Sequence, residues 1–153
     1  MCSIGYSKYA PGTVASFITS IMFIFFYNLQ VNILILTLSV GLIFIYSVHA
    51  IDYSKNFFEE IDSKEIVIDE FVGQSIPLLT VYNFLQKNDI GNFILYTLLA
   101  FFLFRLFDIF KPYPIYKIDK NIKNGFGVMF DDVLAGVYSS VVILIFFSFY
   151  HYE

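Results

Sequence analysis

The chain has 153 residues, of which 58% are hydrophobic and 14% are charged, and its formal net charge is −4. Soluble domains carry about a quarter of charged residues, so this composition, with a mean hydropathy of +0.72, indicates a protein embedded in lipid. The basic residues form no stripe suited to a phosphate backbone, which argues against nucleic acid as a partner. The single cysteine, Cys2, excludes an internal disulfide. We expect one membrane-embedded domain over residues 1–153.

Two membrane helices are predicted in the first third of the chain. No Asp, Glu, Lys or Arg occurs from Tyr9 to Ile51, a stretch too long for one crossing. Its middle is interrupted by three polar residues, Asn28, Gln30 and Asn32. We therefore expect one helix at about 13–29 and a second at about 32–51.

Three further apolar segments follow, at Phe71–Gln86, Gly91–Arg105 and Val133–Tyr152. Backbone groups in lipid must bond within their own segment, so helices are expected for all of them. The first of these three segments, Phe71–Gln86, contains Pro77. This segment either crosses the bilayer fully or forms a re-entrant helix that enters and leaves on the same side. The predicted fold class is an all-α integral membrane bundle of about five membrane-embedded helices.

The most polar segment, Lys111 to Asp132, separates the fourth and fifth predicted helices. Pro112 and Pro114 are expected to end the fourth helix. Isoleucines then alternate with lysines at helical spacing, at Ile115, Lys117, Ile118, Lys120, Ile122 and Lys123. This pattern predicts a short amphipathic helix on the membrane surface, and Asn-Gly-Phe-Gly at 124–127 is expected to break it before the fifth helix.

Basic residues predict the orientation in the membrane. With five crossings, only Lys87 lies on one side, and the other side holds Lys8, Lys55, Lys64, Arg105, Lys111, Lys117, Lys120 and Lys123. A re-entrant third segment would leave only four of the nine basic residues on the side of Lys8. The positive-inside tendency therefore favours five crossings with the N-terminus in the cytoplasm.

Five acidic residues are expected at the cytoplasmic interface: Asp69, Glu70, Asp108, Asp131 and Asp132. Carboxylates at membrane helix ends are costly unless they are paired, solvated or bound to a cation. A group of oxygen ligands at one level suits Mg²⁺, which keeps part of its water shell. The sequence therefore predicts a magnesium site at this interface.

Plainer explanations exist for individual acids. Asp69 and Asp131 are predicted near helix N-termini, where the helix dipole favours an anion. Asp108 is predicted at a helix C-terminus, where the dipole disfavours it, but Arg105 one turn earlier offers an ion pair.

Phosphate is the natural partner of such a site. Pro11-Gly12-Thr13 opens the first predicted helix, whose free amides can bind an anion; alternatively, Thr13 is an ordinary N-cap. Arg105 and Lys111 flank Asp108 and are candidates to hold phosphoryl oxygens, or serve only as interfacial anchors.

The available nucleophiles are restricted. No Cys-x5-Arg loop occurs, and His49 and His151 are best interpreted as structural. A metal-activated water remains, or an aspartyl nucleophile. The alternative from another functional class is a small divalent-cation transporter, but such a protein is expected to carry its carboxylates near the bilayer midplane.

Three blocks, at residues 5–13, 62–73 and 105–136, resemble the phosphatidylglycerophosphatase A family of bacterial membrane lipid phosphatases. The third block is the longest, RLFDIFKPYPIYKIDKNIKNGFGVMFDDVLAG. Three positions depart from the pattern expected of the family, Lys8, Ala15 and Asn124. The positions that match are Pro11, Gly12, Thr13, Asp62, Asp69, Glu70, Gly73, Arg105, Asp108, Lys111, Pro112, Asp119, Asp131 and Asp132.

The resemblance implies Mg²⁺-dependent hydrolysis of phosphatidylglycerophosphate, a phospholipid, to phosphatidylglycerol and phosphate. The implied metal ligands are Asp69, Glu70, Asp131 and Asp132. Asp108 is expected to be a further ligand or the base that positions water. The implied phosphate-binding residues are Gly12, Thr13, Arg105 and Lys111. The oligomeric state stays open.

Overall fold

The computed structural model describes residues 10–54, 67–85, 89–122 and 124–150, and these ranges contain helices and no strand. The helices are α1 (Pro11–Asn28), α2 (Ile33–Ser54), α3 (Ile68–Phe84), α4 (Ile90–Phe110), α5 (Ile115–Asn121) and α6 (Gly125–Tyr150). Four of them, α1, α2, α4 and α6, are long and apolar enough to cross a membrane. The predicted all-α membrane bundle is confirmed.

Helix α3 extends from one end of the bundle to the other. It has 17 residues, or about 26 Å at 1.5 Å per residue, slightly less than a typical hydrocarbon core. In its first turn Glu70 packs against Gly12 at the start of α1. Near its other end the Tyr82 hydroxyl donates hydrogen bonds to the carbonyls of Phe26 (3.2 Å) and Val31 (2.6 Å), in the turn between α1 and α2. The ends of α3 therefore lie level with the ends of the spanning helices.

Two glycines let α3 and α6 approach closely. A methyl group on Gly73 would lie 2.7 Å from the carbonyl oxygen of Asp132 and 2.7 Å from the ring of Phe104. One on Gly136 would overlap the carbonyl of Gly73. Pro77 has no N–H to donate to that carbonyl within α3, so the carbonyl is free to face Gly136. Asp132 therefore lies in this contact, and Asp69 and Glu70 lie about one turn from it.

The start of α6 differs from the prediction. Gly125 N donates to Asp52 Oδ1 of α2 (2.8 Å), and Gly127 N donates to Asn124 Oδ1 (2.8 Å). These two bonds begin the helix at Gly125, so the predicted break over 124–127 is confined to its beginning. Asp131 and Asp132 consequently lie about two turns inside α6 and do not open it. Asn124 acts as a cap and is not among the described non-glycine residues with positive φ.

The junctions at α1 and α4 also differ from the prediction in detail. Helix α1 begins at Pro11, after Ala10 in a left-handed conformation (φ 42°), so Thr13 lies inside the first turn and is not the N-cap. Helix α4 continues to Phe110, which places Asp108 in its last turn. Lys111 then adopts φ 40° before Pro112 ends the helix, as expected.

The predicted amphipathic helix is present as α5. Ile115 is fully buried, whereas Tyr116, Lys117 and Lys120 are exposed. The short helix therefore lies beside the acidic end of the bundle with one apolar residue anchored in the core.

The glycine contact gives a stability prediction. We expect Gly73→Ala to lower the free energy of unfolding by about 1–3 kcal/mol, because the added methyl group meets backbone that cannot yield freely. Thermal unfolding in detergent measures the change. Gly41→Ala is the matched control, since no heavy atom lies within 4 Å of the added group and alanine is the better helix former. Equal melting temperatures for the two variants would contradict the packing argument.

Candidate active site

Three carboxylates meet where α3 and α6 approach each other. One oxygen each from Asp69, Glu70 and Asp132 lies within 4.8 Å of the other two. Asp69 and Glu70 come from the first turn of α3, and Asp132 is only 4% exposed on α6. We name these three residues the carboxylate cluster. Because like charges so close repel each other, the arrangement favours a bound cation.

Asp108 extends the carboxylate cluster toward α4. The carboxylate of Asp108 lies near that of Asp132, so the two negative charges repel each other. The other side of Asp108 faces Arg105, whose Nη1 lies 2.7 Å from Asp108 Oδ2. The ion pair considered from the sequence is therefore present, and it borders the cluster.

The N-terminus of α1 closes a third side of the site. A methyl group on Gly12 would overlap the Glu70 carboxyl and lie 3.2 Å from Arg105 Nη1. The first helical bond of α1 runs from Val14 N to Ala10 O (3.2 Å). The amides that precede it, on Gly12 and Thr13, have no acceptor within the helix. An anion can therefore bind beside Arg105 at this end of α1.

Several polar atoms at this place are buried without a hydrogen-bond partner among the described residues. They are Glu70 Oε2, Arg105 Nε and Arg105 Nη1. Nη1 is close to Asp108 but is not aligned for a hydrogen bond. An unsatisfied buried polar group costs about 1–3 kcal/mol, so such groups indicate a place for water or ligand. Here an acceptor and two donors lie together, which suits a cation with a bound anion.

Lys111 and Asp131 form a separate network. Lys111 Nζ lies 2.7 Å from Asp119 Oδ1 and 2.7 Å from Asp131 Oδ2. Burial would lower the pKa of Lys111, but the hydrogen bonds to both carboxylates outweigh it and raise that pKa above its usual value. Asp131, expected from the sequence among the metal ligands, is thus paired with Lys111 and lies outside the carboxylate cluster. Likewise, the ammonium of Lys111, expected to hold phosphate, is shared by two carboxylates.

Sequence reasoning missed two contacts around the site. Asp52 caps α6 from a position 73 residues earlier in the chain, and no local sequence pattern indicates such a contact. Asp119 matched the family motif, but its pairing with Lys111 depends on the turn after α4. Asp62, which matches the family motif, lies outside the described residues, as do Cys2, Lys8 and His151.

Comparison with known proteins identifies related sequences. The family model described as "Phosphatidylglycerophosphatase A" matches residues 1–147. A protein of Bacteroides thetaiotaomicron named "Putative phosphatidylinositol-3-phosphatase" is 40% identical over 144 residues, which cover 92% of this chain and 86% of that protein. No solved structure matches the chain significantly.

Two further relatives carry the family name. Proteins named "Phosphatidylglycerophosphatase A" from Haemophilus influenzae and Escherichia coli are 44% and 38% identical over 82 residues, which is 54% of this chain in both cases. The matched part covers 45% and 43% of these two proteins. The chain thus aligns with less than half the length of each.

The Lys111 network gives a prediction for stability. Lys111→Met leaves Asp119 and Asp131 without their cation, so we expect a loss of roughly 1–3 kcal/mol in the free energy of unfolding. Because the folded-state pKa of Lys111 is raised, the stabilisation is fully present below the unfolded-state pKa of about 10.4 while both carboxylates are ionised, and it is lost as the pH rises from there through the higher folded value. Melting curves at several pH values measure both effects. Lys117→Met, on the exposed side of α5, is the control and should change little; a similar loss there would refute the assignment.

Proposed function

Because the chain belongs to the phosphatidylglycerophosphatase A family, we propose that it hydrolyses the terminal phosphate monoester of phosphatidylglycerophosphate to phosphatidylglycerol and inorganic phosphate. The observation that carries this proposal is the carboxylate cluster beside Arg105 and the free amides of α1. Acceptors for a cation and donors for a phosphate stand side by side at one end of the bundle, where a lipid headgroup would lie.

The donor set of the carboxylate cluster fits Mg²⁺. Three carboxylates supply hard oxygen ligands, and the buried Glu70 Oε2 lacks a partner among the described residues. In this proposal Asp69, Glu70 and Asp132 hold the ion. Asp131 is paired with Lys111 and supports the neighbouring Asp132. A bound Mg²⁺ supplies Lewis acidity toward phosphoryl oxygens and toward water.

The phosphate is oriented by donors on two helices. Arg105 is ion-paired with Asp108, but its Nε and Nη1 make no hydrogen bond among the described residues, and a guanidinium can bind a phosphoryl group in a bidentate manner. The amides of Gly12 and Thr13 add donors from the positive end of the α1 dipole. Fixed donors of this kind stabilise the charge that develops on phosphoryl oxygens during transfer.

Asp108 is the proposed base. It lies beside Arg105 and Asp132, and so next to both the phosphate-binding and the carboxylate sides of the site. In the proposed reaction, water forms a bond to phosphorus and the ester oxygen of the lipid leaves. Asp108 accepts a proton from the water and then gives it to the leaving alkoxide, which becomes the hydroxyl of phosphatidylglycerol.

The relative from Bacteroides thetaiotaomicron indicates a second candidate substrate, because its name refers to phosphatidylinositol 3-phosphate. Both lipids carry a phosphate monoester, so the same site chemistry would serve either one. The comparisons give no support to the alternative of a divalent-cation transporter.

Phosphate release from purified protein in detergent micelles tests the proposal. We expect release from phosphatidylglycerophosphate to exceed that from phosphatidylinositol 3-phosphate, to stop in EDTA, and to resume with Mg²⁺. Asp132→Asn and Glu70→Gln should each lower turnover by about 100-fold or more, because they remove charge at a metal-organising group while keeping its size.

Asp89→Asn is the matched control for these variants. Asp89 caps α4 at the opposite end of the bundle, and asparagine caps helices equally well, so turnover should be unchanged. Full activity in excess EDTA, or near-normal activity of both site variants, would refute the metal assignment. Faster release from phosphatidylinositol 3-phosphate would reassign the substrate.

We further propose that the site end of the bundle faces the cytoplasm of a bacterial inner membrane. Basic residues concentrate at this end, where Arg105, Lys111, Lys117 and Lys120 lie, as the positive-inside tendency requires. In a Cys2→Ser background, a cysteine at Lys120 should react with an impermeant maleimide only after spheroplasts are permeabilised. A cysteine at Asn32, exposed at the opposite end, should react in intact spheroplasts. The reverse pattern would invert the topology.

A further inference from the structure

Gln74 is a fully buried amide that the proposed mechanism does not use. It lies in α3 with 0% of its surface exposed, and neither Oε1 nor Nε2 has a hydrogen-bond partner among the described residues. Burying an amide without partners costs several kcal/mol in the extreme and about 1–3 kcal/mol by mutational data. A packing role alone would be served better by leucine or methionine. We therefore expect Gln74 to have a polar partner when the site contains its cation.

The position of Gln74 points to that partner. Gln74 follows Glu70 by four residues, so the two side chains share one face of α3 and are about 6 Å apart along the axis. Cα–Cβ bonds tilt toward the N-terminus of a helix, and the N-terminus of α3 lies at the carboxylate cluster, so Gln74 is directed toward Glu70. Glu70 Oε2 is itself a buried acceptor without a partner among the described residues. A buried donor and a buried acceptor, both without a partner among the described residues, thus lie one turn apart on the same face of α3.

We propose that Gln74 is a positioning residue that holds the Glu70 carboxylate for cation binding. Its Nε2 donates to Glu70 Oε2, directly or through one buried water, and leaves Oε1 of Glu70 to the ion. This inference rests on the proposed function, in which Glu70 is a ligand of the divalent cation. Groups that orient a ligand in this way commonly change metal affinity by 10–100-fold when they are removed.

The test compares Mg²⁺ binding by isothermal titration calorimetry on the detergent-solubilised full chain, without lipid. Gln74→Met keeps the length of the side chain and removes both polar atoms. We expect a dissociation constant for Mg²⁺ about 10–100-fold above that of the unmodified protein. Thermal stability without metal should be maintained or raised, because an unsatisfied amide is removed. At saturating Mg²⁺ the KM for the lipid should not change, since Gln74 is not assigned to the phosphate.

Two controls separate positioning from packing. Thr97→Val also removes a fully buried, unpartnered polar atom, but Thr97 lies on α4 two turns from Arg105, and its Cα–Cβ bond tilts away from the site. Its Mg²⁺ affinity should equal that of the unmodified protein. In a Glu70→Gln background, Gln74→Met should cost no further affinity, because the two residues act through one contact.

Each outcome has a distinct meaning. If the unmodified protein binds no Mg²⁺, the metal part of the proposed function fails, and this inference fails with it. If it binds Mg²⁺ and Gln74→Met binds equally well, only the role of Gln74 is refuted. An additive loss in the Glu70→Gln background would likewise refute action through Glu70. Should Gln74→Met unfold, Gln74→Asn makes the same comparison, because it keeps the amide but withdraws it by one methylene group.

Discussion

Carboxylates held within 4.8 Å of one another at the edge of a bilayer repel, and the backbone must hold them together. The contact between α3 and α6 holds the carboxylates together. Gly73 and Gly136 remove the side chains that would separate the helices, and Pro77 frees the carbonyl of Gly73 to face the partner helix. Asp69 and Glu70 lie within one turn of this contact, and Asp132 lies directly in it. The glycines therefore matter to the site through distance, because each ångström added between the helices would also separate the carboxylates.

Within the described part of the chain, the cations nearest to the carboxylate cluster are paired with acids outside it. Arg105 is paired with Asp108, and Lys111 is shared by Asp119 and Asp131, so each cation already faces acids outside the cluster. The remaining N–H groups of Arg105 and the first amides of α1 face the site as donors. Such an arrangement is suited to bind a cation and an anion together, because the cation screens the carboxylates and the anion satisfies the donors.

Most of the architecture follows from the sequence, because long uncharged runs in lipid allow only helices. The first-turn position of Asp69 and Glu70 and the stop after α4 were predictable from Pro and from charge placement. The start of α6 was not, since it depends on Asp52, a cap from a helix 73 positions away. The division of the acids was also hidden: Asp131 and Asp132 are adjacent, yet residues one step apart on a helix point about 100° apart, so one meets Lys111 and the other meets α3. Only tertiary packing decides which neighbour takes which side.

Depth in the membrane distinguishes the two functional classes considered from the sequence. A transport path needs polar ligands at several depths, because an ion cannot pause in hydrocarbon without them. In the described part of the chain, the carboxylates of the spanning helices lie at the site end, and Asp89 marks the opposite end. Aromatic rings pack together near that opposite end, with Tyr27 stacked on Phe93 at 3.9 Å and Tyr82 packed against both. Buried hydroxyls along α1 are directed to their own backbone, as in the bond from Thr19 to the Ala15 carbonyl (2.8 Å). Carboxylates confined to one level suit the hydrolysis of a headgroup at the interface.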